Sequence, residues 1–166
     1  MKKIVLLIAI ISFLFFSSCG QENERNSANY VADKSCSVIV EAIQNDEPEK
    51  IKELFCEKLL KKHDDIDQKI EEFIHFIDGD IVSVGRQIGE RGEHSTQYPY
   101  GLIYEAYTGS ISDIITDSGK RYRIRFDGLN VDFDSTDTIG IVSIVIVDVD
   151  KLKETENYDE SSYVIK

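Results

Sequence analysis

Arg121, Arg123 and Arg125 alternate with Tyr122, Ile124 and Phe126. In an extended strand that spacing puts three guanidiniums on one face and an apolar row on the other. Guanidinium forks match the geometry of carboxylates and other oxyanions, so the row is a candidate anion site. Cross-strand pairing with Asp113 would instead make it an ordinary solvated face, worth little energetically. His75 sits between Ile74 and Phe76, off the apolar stripe of its helix. With Asp113 or Asp80 it would form the carboxylate–histidine arrangement of an isomerase-type pocket, although no spacing forces these groups together. His63 reads as a cation at a helix C-terminus and His94 as a loop residue. Tyr98, Tyr100, Tyr104 and Tyr107 cluster in one segment. Tyrosines suit pocket mouths and interfaces, and they equally suit a loop covering a sheet.

Asp132, Asp134 and Asp137, with Ser135, Thr136 and Thr138 among them, offer hard oxygens of the kind calcium takes. The EF-hand pattern fails there, because Asp137 stands where glycine is required and Ser143 where the bidentate glutamate belongs. No metal and no cofactor are expected. A phosphate-binding glycine loop, a Gly-x-Ser-x-Gly elbow and a His-Glu-x-x-His motif are all missing from the sequence. Cys36 and Cys56 read as small core residues on two helices, with a disulfide as the alternative in an oxidising compartment.

The elements that must position these groups follow from periodicity. Cys36, Ile39, Val40 and Ile43 predict a helix over 33–44, with Asp33 as N-cap and Asn45 as stop. Ile51, Leu54, Phe55 and Leu59 predict a second helix, entered at Glu47-Pro48 and closed by Lys61, Lys62 and His63. Ile66, Ile70, Phe73, Ile74 and Ile77 predict a third, stopped by Gly79. Beyond Gly79 the period becomes two. Ile81–Ile88 reads as a strand and 89–97 as a turn or loop. The segment 98–107 is undecided, with Pro99 against a central strand. Thr116-Asp117-Ser118-Gly119-Lys120 predicts a hairpin with Gly119 in the left-handed region, Ile114 facing Tyr122 and Asp113 facing Arg123. Ile139–Val149 is almost continuously apolar and reads as a central strand.

Lys2 and Lys3 followed by the apolar run Ile4–Phe16 form a secretory leader too short to span a bilayer. Its end, Phe16-Ser17-Ser18-Cys19, resembles the lipobox of bacterial lipoproteins, with Phe16 where leucine is usual. The resemblance implies lipid (a palmitate-type chain) on Cys19, the new N-terminus, and attachment to the extracytoplasmic face of the membrane. The organisation expected is a signal peptide over 1–18, a polar tether over 19–31, one domain over 32–150 and a polar tail over 151–166. The formal charge is −12, and losing Lys2 and Lys3 with the leader takes it to −14. A surface so acidic repels nucleic acid, so no nucleic-acid partner is expected.

Helices followed by antiparallel strands make an α+β order. The helical triplet, ISDIITDSGKRYRIRF and GIVSIVIV behind a lipobox resemble a family of Gram-positive bacterial lipoproteins of the nuclear transport factor 2-like superfamily, also called the cystatin-like roll. That resemblance implies three N-terminal helices packed on a curved antiparallel sheet with a pocket at its open end. It transfers no catalytic residue. Its superfamily spans isomerases, dehydratases and binding or dimerisation modules, so it leaves a dimer open and does not choose a function. The sequence therefore reads as a lipid-anchored extracytoplasmic binding module for a small molecule or protein. The alternatives are a lipoprotein enzyme with an acid/base in the pocket, or a surface immunity-type protein that binds another protein.

Overall fold

A computed structural model describes residues 27–97, 99, 101–155 and 157–166. Helix α1 spans Ala28–Asn45 and begins earlier than Asp33, because Ser27 Oγ accepts from Tyr30 N at 3.3 Å. Ala28 and Ala32 extend the stripe of Cys36, Ile39 and Val40, and all five are buried. Asp33, inside α1, accepts from Gly89 N at 2.7 Å and so ties the helix to the sheet.

The predicted second helix divides into α2 (Pro48–Lys52) and α3 (Glu57–Lys62). Tertiary pairing breaks it. Ile141 N donates to Leu54 O at 2.8 Å, and Cys56 N donates to Ile141 O at 3.0 Å, so the chain between the helices joins the sheet as a short parallel bridge. Helix α4 (Ile66–His75) buries Ile66, Ile70, Phe73 and Ile74.

The strands are β1 (Ile81–Ser83), β2 (Gln87–Gln97), β3 (Gly101–Thr116), β4 (Arg121–Asp132), β5 (Gly140–Asp148) and β6 (Ser162–Ile165). Every pairing between these strands is antiparallel, in the order β1-β3-β4-β5-β6, with β2 lying along β3 beside β1. The stretch 89–97, expected as a loop, is most of β2, and the undecided segment supplies the start of β3. The hairpin forms as predicted at its tip: Gly119 has φ 81°, Gly119 N donates to Thr116 O at 2.9 Å, and Ile114 pairs with Tyr122.

Two reciprocal pairs set the middle of the sheet. Tyr107 lies opposite Gly128, and Phe126 lies opposite Gly109. Each ring covers its glycine, and a Cβ at Gly109 would meet the Phe126 ring at 1.9 Å. The rings meet edge-on with centroids 6.3 Å apart, the aromatic geometry that favours a tight, twisted sheet.

Residues 151–155 and 157–166 are built into the fold. Helix α5 (Val149–Thr155) follows β5, and β6 pairs with β5, burying Ile165. Helix and sheet residues form one core, in which Ile39, Phe55, Ile70 and Phe73 join Ile114, Tyr122, Ile124, Ile144 and Ile146. The class is α+β, but the arrangement is not three helices on a roll. Among the described residues the chain is a six-stranded sheet with five helices, of which α1 is the one long helix against it. The expectation fails because sheet pairing claims Leu54 and Cys56 and splits the second helix, and because the last residues extend the sheet.

Candidate functional site

Strand β4 presents its two rows as the alternation requires. Tyr122, Ile124 and Phe126 are buried in the core, and Arg121, Arg123 and Arg125 are exposed on the opposite face. The direct cross-strand partners of the arginines are not acids. Arg125 lies opposite Ser110 of β3 and Val145 of β5, and Arg123 lies opposite Val147. The Asp113–Arg123 pair does not form. A bulge between Ile111 and Ile114 takes Asp113 out of register, with φ 51°, and its carbonyl and that of Ser112 accept from Gly85 N. Gly85 lies where β2 gives way to β1 along the edge of β3, so the bulge absorbs that interruption.

Among the described residues no carboxylate pairs with the guanidinium of Arg121 or Arg123; Asp150 Oδ2 accepts from the Arg121 backbone N at 3.1 Å, and the Arg125 guanidinium reaches Asp127 at 3.9 Å. Beside them runs a groove of about 200 Å³. Arg123 and Arg125 of β4 line it together with Val145 and Val147 of β5 and with Val149, Leu152 and Tyr158 beyond it. On its far side Arg125 borders a second pocket of about 190 Å³ with Ile88, Glu90, Thr108 and Ser110. The arrangement offers guanidinium donors next to apolar surface, which can hold an anion and cover an attached apolar body.

A separate cleft of about 530 Å³ lies among the C-terminal ends of α1 and α4 and the start of β1. Ile43, Ile74, Ile77 and Ile81 line it with Asp46, His75 and Asp80. His75 Nε2 is 3.5 Å from Asp46 Oδ1, and both side chains are about two-thirds exposed (67% and 71%). His75 and Asp80 thus share a cavity, whereas Asp113 is not among the residues lining it.

Tyr104 is half-buried on β3, opposite Ser95 and Asp132. Cys19, Tyr98 and Tyr100 lie outside the described residues. His63 Nε2 lies 2.9 Å from Lys166 O, and His94 belongs to β2 rather than to a loop. The Asp132 loop spends its oxygens on itself: Asp132 accepts from Asp134 N, Ser135 N and Thr138 Oγ1, and the Thr138 bond holds its carboxyl below the usual range. Cys36 and Cys56 are buried free thiols.

Sequence reasoning missed two features. Glu105 is buried, with Arg91 Nε at 2.7 Å and Asn130 Nδ2 at 2.6 Å, an ion pair that joins β2, β3 and β4. The alternation that puts Glu105 on the face of Tyr107 was its only signal. Leu152 and Tyr158, which line the groove, sit in residues expected to be a tail.

The family of domains of unknown function DUF5104 matches residues 38–154, and the chain belongs to it. No curated protein matches the chain. No helix among the described residues is long and apolar enough to cross a membrane.

Proposed function

We propose that this chain is a lipid-anchored binding module on the extracytoplasmic face of a bacterial membrane, and that the arginine face of its sheet takes an anionic ligand. The anchor rests on the order of residues in the leader and on Cys19 at its end. One observation carries the ligand. The chain has 31 acidic residues against 19 basic, yet among the described residues no carboxylate pairs with the Arg123 guanidinium, and that of Arg125 meets Asp127 at 3.9 Å. Charges left open beside an apolar groove are available to a partner.

Each half has its own test. Cells fed a labelled fatty acid incorporate it into the protein, and Cys19→Ala abolishes incorporation; label that survives the substitution refutes the anchor. Butanoate raises the thermal midpoint of the full chain in a saturable way, because a ligand bound to the folded state alone stabilises it. The rise disappears in the Arg123→Gln/Arg125→Gln variant. An equal rise in that variant refutes the anion site.

The catalytic reading has a specific observation of its own, the approach of His75 to Asp46 in a cleft shared with Asp80. Both side chains stand mostly in water, where a carboxylate–histidine pair lacks the low-dielectric surroundings that tune an acid/base for catalysis. The open guanidiniums therefore favour binding over catalysis.

A further inference from the structure

We infer that the ligand of the arginine face is an amphiphilic monocarboxylate, a single carboxylate on an unbranched apolar body of medium length. The inference rests on the anion-binding reading of the same face and adds the chemistry of the rest of the ligand. Arg123 and Arg125 are two residues apart on one strand, so their side chains leave the sheet side by side. A single carboxylate between them receives N–H donors from two forks. The same groove is lined, besides the guanidiniums, by Val145, Val147, Val149, Leu152 and Tyr158. Apart from the two arginines, the only polar side-chain atom its lining residues bring is the Tyr158 hydroxyl. Tyr158 is 48% exposed, a large aromatic surface left in water beside the groove.

Charge and shape together select the occupant. A small inorganic anion would leave the apolar lining wet. A neutral alkyl chain would leave the Arg123 guanidinium without a counter-charge and Arg125 with only the 3.9 Å approach of Asp127. At about 200 Å³ the groove holds one short chain and not a two-chain lipid. The segment that supplies Leu152 and Tyr158 to it, α5 and the turn carrying Tyr158, is held by β6 in the β5 ladder, so this lining is part of the folded domain.

The test uses the full chain in phosphatidylcholine nanodiscs, with empty discs subtracted, and titrates butanoate, octanoate and octanol. Octanoate binds at least about tenfold more tightly than butanoate, a modest part of what four fully buried methylenes would give. Octanol binds more weakly than octanoate. Arg123→Gln/Arg125→Gln weakens octanoate at least about tenfold, Leu152→Asp removes its advantage over butanoate, and Arg123→Lys falls between wild type and glutamine. Equal affinity for butanoate and octanoate overturns the amphiphile and leaves the anion site standing. Octanol binding as tightly as octanoate, unaffected by the arginine variants, overturns it as well. Failure of both carboxylates to bind overturns this inference together with the anion site beneath it.

Discussion

Arg123 faces Val147 across the β4–β5 ladder, a guanidinium set against a valine in a chain rich in carboxylates. On the other side of the same arginine, the bulge in β3 takes Asp113 out of the place opposite Arg123 that an unbroken hairpin register would give it. One inserted residue thus leaves Arg123 without a cross-strand aspartate.

The turn that starts β4 depends on Gly119. With φ 81° and no atom within 4 Å of a built Cβ, the obstacle to a side chain is backbone strain alone. Gly119→Val lowers stability by about 1–2 kcal/mol, measured as a fall in the urea midpoint. An unchanged midpoint would mean the left-handed turn is not needed.

The C-terminal strand is structural. Ile165 is buried, and Tyr163 Oη donates to Glu72 Oε2 at 2.8 Å, linking β6 to α4. Ile165→Ala costs about 2–5 kcal/mol and Phe73→Ala about 3–5 kcal/mol. Both variants lose hydrogen-exchange protection in helices and sheet together. Loss confined to one layer would contradict the single core.

Stability falls in alkali. Burial, and then the charge of Asp33, pushes the Cys36 thiol up to about 11, against about 8.5 in an unfolded chain. Burial likewise pushes Tyr107 up to about 12, from about 10. The folded state holds protons that the unfolded state has released, so their contribution is complete below about pH 8.5 and declines as pH rises through these values. The urea midpoint of wild type drops between about pH 9 and 11, and Cys36→Ala flattens that part of the curve. A variant with the wild-type slope would remove Cys36 as its cause.

Local pattern made much of this legible. The apolar stripes of α1 and α4, the Thr116–Lys120 turn and the two-faced β4 all follow from spacing. What was hidden depends on contacts distant in sequence. Nothing near Leu54 announces that Ile141 will interrupt its helix. Gly89–Gln97 lacks an apolar alternation because its neighbour along β3 and the ion pair of Arg91 hold it in the sheet. The groove was half visible: Arg123 and Arg125 stood out, but Leu152 and Tyr158 reach it only through the return of β6. The roll expectation failed for the same reason, since helix counts from periodicity do not see where a sheet will take the backbone.

If Arg123 and Arg125 bind an anion as a pair, their own side-chain signals report it. In the full chain in phosphatidylcholine nanodiscs, titration with butanoate is followed at the arginine Nε–Hε resonances. Arg123 and Arg125 shift together along one saturating curve, while Arg91, engaged with buried Glu105 at 2.7 Å, stays in place. Shifts that grow linearly and equally at every arginine, or no shift at Arg123 and Arg125, would contradict the account.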